Sequence, residues 1–333
     1  MPTEKYKIYI PQEMKTSLIY DAELFEFIKS NGRVNLNSFL KTLLVNYYSS
    51  YVAQRTKMHS DIVTEIVRAT GIKTSKAEGL ATTIIMMCKD SYVTTHEKNE
   101  AITLTVSGKA YEVLGLIEQN LEGVFSLSQY VRNLFSAYLS MSRSSREEII
   151  FLDEYSSIMS AIENKRMISF SSTSSGKLKH LAAPYSLIPS KEEQFNYLLC
   201  YNYEKKAVSS FRLSRIRRLL VHPETFQLQN DVIEKLKKAK EKGPQFAFEE
   251  TPRTYVRLTE EGMRKYRMIY TNRPEVITMY DNILTFEWPL IQLEEYFKRF
   301  GKDAEILEPE SAREQLREFY KDAYELYSRE NRH

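Results

Sequence analysis

The densest group of side chains that could bind an anion lies in the middle of the chain. Six basic residues fall within the fourteen positions from 205 to 218, and no acidic residue interrupts them. Guanidinium groups bind phosphate through paired hydrogen bonds, and neighbouring aromatic rings can stack on bases. The spacing therefore indicates a site for a phosphate-bearing ligand such as single-stranded nucleic acid. The six residues are Lys205, Lys206, Arg212, Arg215, Arg217 and Arg218.

The overall charge does not account for this cluster. The chain has 47 Lys and Arg against 44 Asp and Glu, a formal net charge of +3. By segment, residues 1–150 carry +1, residues 151–250 carry +4 and residues 251–333 carry −2, which sum to +3. Because the excess is confined to the centre, any binding of nucleic acid has to be local. The alternative is a basic strand edge that only discourages aggregation.

Residue types that support catalysis or metal binding show no recognisable spacing. None of the five histidines lies in an HExxH or Cys/His pattern, and the ten glycines form neither a phosphate-binding loop nor a nucleophile elbow. The two cysteines, Cys88 and Cys200, are too few for a disulfide scaffold or an iron-sulfur cluster. The sequence predicts a binding protein that is not an enzyme and that holds no metal and no cofactor.

The hydropathy of the chain bears on its location. The most apolar stretch, residues 81–88, is much shorter than the ~18 residues that a membrane span needs. The first residues lack the apolar segment of a secretory signal, and the low cysteine count fits a reducing compartment. We therefore expect a cytoplasmic protein that contacts no membrane.

A repeated pattern occupies the first part of the chain. Residues 6–51 and 101–139 each contain a short alternating strand, a helix, a turn with glycine and a second helix. In the first strand Ile8 and Ile10 share one face, and Lys7 lies on the other. Asn35 and Ser126 are of the types preferred at helix N-caps, and we expect them to start the two second helices.

This pattern resembles the ribbon-helix-helix fold, in which two copies pair their strands into one antiparallel ribbon. Since the chain supplies both copies, the resemblance implies a single-chain pseudo-dimer. In that family the polar face of the ribbon enters the DNA major groove and helix N-termini meet phosphates. The alternative is a ribbon that serves only folding or dimerisation. The resemblance assigns the groove to Lys5, Lys7, Tyr9, Thr103 and Thr105, and the phosphates to Asn35 and Ser126.

The connections between these parts are also predicted. Two further helices are expected at residues 53–70 and 75–90, separated by Gly71. The polar residues 143–146 mark the end of a first domain, residues 1–145, and a helix over residues 147–164 leads into the next.

Short β-like segments separated by Ser, Gly and Pro begin near Met167 and predict a small barrel. The segments PYSLIP, NYLLCYN and FRLSRI resemble the WYL domain, an Sm-like five-stranded barrel, over residues 158–226. Asn196 stands in place of the family's tryptophan and Ser214 in place of its aspartate. We assign residues 146–232 to this domain. The resemblance implies an anion pocket formed by Tyr197, Arg212 and Arg215, with Ser169, Ser171, His180 and Arg217 as weaker candidates.

Strand alternation decides whether the two central arginines converge. In SSFRLSRI, Arg212 and Ser214 share one face of an extended strand, so Arg215 would point away from Arg212. The two guanidinium groups can serve one ligand only if the strand bends near Ser214.

The remaining residues, 233–333, form a linker and a third domain with the element order βαββαβα. That order is typical of a ferredoxin-like plait and resembles the extension that follows many WYL domains, which implies a homodimer contact. The apolar stripe on the last helix favours core packing over a partner. The predicted fold class is α+β with three domains: ribbon-helix-helix pseudo-dimer, small β-barrel and plait.

A ribbon-helix-helix unit ahead of a WYL domain resembles the WYL accessory proteins of type VI-D CRISPR systems. The resemblance implies binding of single-stranded RNA, or DNA, and stimulation of an RNA-guided ribonuclease effector. The alternative is a transcription regulator whose ribbon binds duplex DNA while the WYL domain senses a ligand. An enzyme is the third class, and no group of residues supports it.

Overall fold

The computed structural model describes residues 3–87, 99–119, 121, 126–175, 178–191, 193–247 and 252–328. Within these ranges the chain forms eleven α-helices and eleven strands in three sheets, a mixed α+β architecture as predicted. The chain divides into two compact units. Unit 1 comprises residues 1–189, 194–198 and 211–226, and unit 2 comprises residues 190–193, 199–210 and 227–333. The three-domain division predicted from the sequence stays a prediction.

A two-stranded ribbon opens unit 1. Strand β1 (Glu4–Pro11) pairs antiparallel with β2 (Asn99–Val106), in a register that runs from Glu4 opposite Val106 to Pro11 opposite Asn99. Ile8 and Ile10 are buried, and Ile102 and Leu104 lie beside them in the core. The opposite face is polar and largely exposed, so the alternation predicted from the sequence is confirmed.

Helices accompany the ribbon and pack against its strands. The first four are α1 (Gln12–Leu24), α2 (Leu36–Thr70), α3 (Thr74–Met87) and α4 (Lys109–Gln119), and α5 (Leu127–Leu139) follows. Helices α1, α2 and α5 pack against the strands. The separate helix predicted at residues 53–70 is wrong, because α2 continues without a break until Gly71 ends it in the left-handed conformation. Residues 88–90 of the second predicted connecting helix lie outside the described residues.

Two short helices lead from α5 to a five-stranded sheet. They are α6 (Arg143–Ile150), with Ser142 as its N-cap, and α7 (Leu152–Glu163), which begins after a break at Phe151. The polar residues 143–146 therefore begin a helix rather than interrupt the structure, since three serines at 142–145 supply the cap and its partners. The single helix predicted over residues 147–164 is divided in two.

The third group of elements is a five-stranded antiparallel sheet with the order β6-β5-β4-β3-β7. Strand β3 pairs with β4 and with β7, and the β3–β7 register shifts twice, which marks bulges in that pair. A 3-10 turn over Leu213–Arg215 separates the last two strands in sequence. The strands are β3 (Arg166–Ser172), β4 (Lys179–Pro189), β5 (Asn196–Asn202), β6 (Ala207–Arg212) and β7 (Ile216–Thr225).

Unit 2 contains a four-stranded sheet with the order β11-β8-β10-β9, preceded by α8 (Asn230–Lys242). Its core is aromatic, with Phe286, Tyr296, Phe297 and Phe300 almost fully buried. The elements agree with the sequence prediction: β8 (Arg253–Leu258), α9 (Glu260–Met268), β9 (Val276–Tyr280), β10 (Ile283–Glu287), α10 (Leu290–Phe297), β11 (Ala304–Glu308) and α11 (Glu310–Ser328).

Candidate nucleic-acid interface

The 3-10 turn over Leu213–Arg215 brings two of the predicted arginines together. It supplies the bend near Ser214 that the sequence required, so Arg212 and Arg215 both reach the segment that follows α1. Arg212 Nη2 donates to the carbonyl of Leu24 at 2.5 Å, and Arg215 Nε donates to Glu26 Oε1 at 2.9 Å. The two guanidinium groups therefore serve one region of unit 1.

Arg212 is the more firmly held of the two arginines. Its side chain is only 11 % exposed, and its guanidinium carbon lies 3.2 Å from the centre of the Phe195 ring. Its Nε donates to Ser214 Oγ at 2.7 Å. Burial lowers the pKa of Arg212, although the neighbouring Glu147 carboxylate acts in the opposite direction. Two of the five N–H groups of Arg212 therefore bond within the protein, and its side chain is largely buried.

Glu147, at the middle of α6, is a neighbour of Arg212 that the sequence did not indicate. The residue is fully buried, and its carboxylate accepts from the backbone N–H of Asn196 at 2.6 Å and of Ser214 at 3.0 Å. Its Oε1 lies 3.9 Å from Arg212 Nε. Burial raises the pKa of Glu147, and the two N–H groups and Arg212 lower it. The Glu147 carboxylate thus bonds the backbone of both Asn196 and Ser214, the two positions at which the chain departs from the WYL pattern.

Arg215 is more exposed than Arg212. Its side chain is 41 % exposed and forms an ion pair with Glu26, which is 29 % exposed. The second oxygen of that carboxylate accepts from Thr173 Oγ1 at 2.7 Å. Neither Glu26 nor Thr173 stands out in the sequence, because both lie far along the chain from the basic cluster.

Arg217 is largely engaged by its own chain. Its Nη1 donates to the carbonyls of Ser214 at 2.6 Å and Ile216 at 2.9 Å. The Arg217 carbonyl accepts from Ser171 Oγ at 3.3 Å. Burial lowers the pKa of Arg217, with Glu26 as the largest opposing charge. Arg217 and Ser171 therefore stabilise the start of β7, and their assignment to the ligand stays a prediction.

The other WYL-site candidates differ in exposure. Ser169 is buried and shares a hydrogen bond of 2.8 Å with His222 Nε2. His180 is buried between aromatic rings, with its ring centre 5.4 Å from that of Phe170 and 4.8 Å from that of Phe211. Tyr197 is half-buried on β5. Among these candidates Tyr197 offers the most accessible surface, and the roles of all three in ligand binding stay predictions.

The ribbon presents the predicted groove residues on its outer face. Lys5, Lys7 and Tyr9 are exposed on β1, and on β2 Thr103 is exposed while Thr105 is half-buried. The register places Lys7 opposite Thr103 and Lys5 opposite Thr105. The ribbon therefore has one basic, aromatic strand and one strand that carries hydroxyl groups.

Both helices beside the ribbon begin as predicted. Asn35 caps α2 by accepting from the Ser38 N–H at 3.3 Å, and Ser126 caps α5 by accepting from the Gln129 N–H at 3.2 Å. The predicted N-caps are confirmed, and contact of these helix ends with phosphate stays a prediction.

Two further findings concern the chemistry that the sequence excluded. The part of the chain that the structure describes contains no group of three or more His, Cys, Asp or Glu residues able to hold a metal ion. No helix in the described ranges combines the length and apolar character that a membrane crossing requires.

The comparisons with known proteins agree with this architecture. Residues 153–221 match the family model of the WYL domain, so the WYL resemblance seen in the sequence is confirmed for this part of the chain. A solved structure described as "Crystal structure of a CRISPR Cas-related protein" superposes with a TM-score of 0.78 at 23% identity. The match covers 99% of this chain and 96% of that one. At that identity the likeness shows a shared fold.

A second solved structure is much less similar. It is proteasome accessory factor B/C (PafBC) of Arthrobacter aurescens, with 13% identity and a TM-score of 0.33 over 98% of this chain and 65% of that one. That superposition is too weak to carry any argument. Comparison with curated protein sequences gives no match.

Proposed function

We propose that the protein is a non-enzymatic, cytoplasmic accessory protein that binds single-stranded RNA at the WYL domain and stimulates a type VI-D CRISPR RNA-guided ribonuclease. The observation that carries the proposal is the bend at Ser214, which leaves Arg215 exposed beside the anchored Arg212. The WYL match and the shared fold with a CRISPR Cas-related protein support it.

In this proposal the residues have separate roles. Arg215 binds a phosphate of the RNA backbone, and Tyr197 offers a ring on which a base can stack. Arg212 holds the turn in place through Ser214 and Phe195 and contributes its positive charge. Since these contacts involve phosphates and ring faces, we expect binding that tolerates many sequences.

The first test is a binding assay. Fluorescence anisotropy with matched single-stranded RNA, single-stranded DNA and duplex DNA across a salt series compares wild type with Arg215→Ala. We expect Arg215→Ala to weaken RNA binding and to reduce the slope of log K against log salt by about 0.7, the contribution of one phosphate contact on a single strand. Arg264→Ala is the matched control, because Arg264 is an exposed arginine paired with Glu261 in unit 2. Equal RNA affinity for the two variants would contradict the proposal.

The second test concerns the partner. Purified protein is added to a type VI-D effector loaded with guide and target RNA, and cleavage of a labelled RNA is followed. We expect wild type to raise the rate and Arg215→Ala to raise it less. Incubation of the labelled RNA with the protein alone tests the non-enzymatic assignment, since turnover there would reveal a hidden nuclease.

A second candidate function has its own observation in the ribbon. Lys5, Lys7 and Tyr9 are exposed beside Thr103 and Thr105, which would suit a regulator that binds duplex DNA in the major groove. That candidate predicts sequence-specific duplex binding that Lys7→Ala or Thr105→Ala weakens. Tight duplex binding without single-strand affinity in the same anisotropy series would place it first.

We also infer the finer domain assignments. The paired β1 and β2 with the helices after each fit a ribbon-helix-helix pseudo-dimer in residues 1–145. The five-stranded order β6-β5-β4-β3-β7 fits an Sm-like barrel in residues 146–232. The order β11-β8-β10-β9 fits a ferredoxin-like plait in residues 233–333, the part that we assign to a homodimer contact. Light scattering of the full chain tests the dimer.

A further inference from the structure

The carboxylate of Glu26 already occupies one N–H donor of Arg215, the arginine assigned to the proposed RNA ligand. Its two oxygens accept from Arg215 Nε at 2.9 Å and from Thr173 Oγ1 at 2.7 Å. A phosphate presents two oxygens in a similar way, so it would compete for the same guanidinium and hydroxyl. We propose that Glu26 is an internal competitor that single-stranded RNA displaces from Arg215, so that this carboxylate sets the affinity of the site. The inference rests on the proposed function of Arg215.

Glu26 is one of the carboxylates that act on the arginines of the basic cluster. Glu26 acts on the pKa of Arg212 and of Arg217, in each case against a larger lowering by burial. Glu147, the carboxylate with the larger effect on Arg212, is buried and accepts from two backbone N–H groups, so a ligand does not replace it easily. Glu26 is partly exposed and therefore the carboxylate that a ligand can displace.

The backbone at Glu26 forms the left-handed turn that ends α1. Glu26 has a φ of 61°, in the left-handed region that non-glycine residues rarely adopt. The segment is held by Glu26 N–H donating to Glu23 O at 2.9 Å and by Arg212 donating to Leu24 O at 2.5 Å. A ligand that removes the Arg215 pair takes away one of the contacts that keep Glu26 in this conformation.

The exchange is physically accessible because the pair is partly in water. Ion pairs with side chains as exposed as those of Arg215 and Glu26 contribute little to stability, since solvent screens them. A backbone phosphodiester carries one negative charge, as the carboxylate does, so it can take the place of Glu26 at Arg215.

The test removes the competitor and keeps its size. Glu26→Gln deletes the charge, and Glu23→Gln, an exposed residue at the end of α1, is the matched control with the same change in net charge. Affinity for a single-stranded oligouridine RNA is measured by anisotropy at fixed salt. We expect Glu26→Gln to bind about two- to fivefold more tightly than Glu23→Gln, the range set by a partly exposed ion pair. Equal or weaker binding by Glu26→Gln would overturn the inference.

A measurement on the unaltered protein tests the displacement itself. Hydrogen exchange at residues 24–28 is compared with and without saturating oligouridine RNA. The Phe27 N–H, which donates to Ala22 O at 2.8 Å, should exchange faster when the RNA releases the segment. Slower or unchanged exchange there would count against displacement.

The failures of the two proposals can be told apart. If Arg215→Ala binds RNA as tightly as wild type, the proposed function fails and the competitor role fails with it. If Arg215→Ala loses affinity while Glu26→Gln and Glu23→Gln bind alike, the RNA site stands and only the competitor role is overturned.

Discussion

The Glu147 carboxylate should be the side chain on which the arginine turn most depends. It is the acceptor for two buried N–H groups, those of Asn196 and Ser214, and the neighbour of Arg212. Truncation in Glu147→Ala leaves both N–H groups without that acceptor. Each unsatisfied buried group costs roughly 1–3 kcal/mol, so the two together give about 2–6 kcal/mol. We expect a fall of about 2–6 kcal/mol in the free energy of unfolding.

The assay has to report on unit 1. The single tryptophan, Trp288, belongs to unit 2, so urea unfolding is better followed by far-UV circular dichroism together with hydrogen exchange at Asn196 and Ser214. Glu148→Ala is the control, because Glu148 is the adjacent, half-buried glutamate. If the fall in the free energy of unfolding for Glu147→Ala is within about 1 kcal/mol of the fall for Glu148→Ala, the reasoning is refuted. That result would mean that water or a backbone shift satisfies the two N–H groups.

Three further predictions concern single positions. Burial raises the pKa of Asp21 above its ordinary value despite the nearby Arg146. The contribution of Asp21 to stability is therefore present below its unfolded-state pKa and is lost as pH rises through its folded-state pKa. The free energy of unfolding of Asp21→Asn across a pH series should lack this decline, and curves parallel to those of wild type would contradict the prediction. Asn35→Ala should lower the free energy of unfolding by about 1 kcal/mol through loss of the α2 cap, measured by urea unfolding, and Asn35→Asp should not. Gly262→Ala places a Cβ 2.1 Å from the Asp303 carbonyl and should cost about 1–3 kcal/mol, measured by Trp288 fluorescence in urea; an unchanged midpoint would mean that α9 shifts freely.

Local patterns were sufficient to predict most of the elements. The alternation in β1 and β2, the caps at Asn35 and Ser126, and the elements of unit 2 depend on residues a few positions apart, so a sequence displays them directly. The extent of α2 was missed although no glycine or proline interrupts the helix before Gly71. The buried residues of α2 end at Tyr51, so the pattern of core positions stops there while the helix continues.

The candidate site was predictable only in part. Arg212 and Arg215 stand out because they are close together in sequence and the basic cluster contains no acid. Their actual neighbours, Glu26 and Glu147, lie 189 and 65 positions away, from 26 to 215 and from 147 to 212. Glu147 is an ordinary glutamate in α6, and Glu26 lies in the turn that follows α1. Contacts between distant segments follow from tertiary packing, which a single sequence does not display.

The ribbon bears on which of the two functions is preferred. The Tyr9 N–H on β1 donates to Ser128 Oγ on α5, and the Asn37 side chain on α2 bonds the backbone of Thr105 on β2. Each of these helices thus bonds the strand of the other repeat, at positions that correspond to each other. Lys7 is therefore equivalent to Thr103. A symmetric operator would meet a lysine in one half-site and a hydroxyl in the other, which does not favour matched recognition of two half-sites.

This asymmetry suits a protein whose main nucleic-acid contacts lie elsewhere, as the proposed WYL site requires. It predicts that Lys7→Ala weakens any duplex binding by more than Thr103→Ala does, because only the lysine neutralises a phosphate. The difference should shrink as salt rises, since screening removes the lysine's advantage. Equal losses for the two variants at low salt in a duplex anisotropy assay would show that the ribbon contacts DNA symmetrically and would restore the regulator as the better explanation.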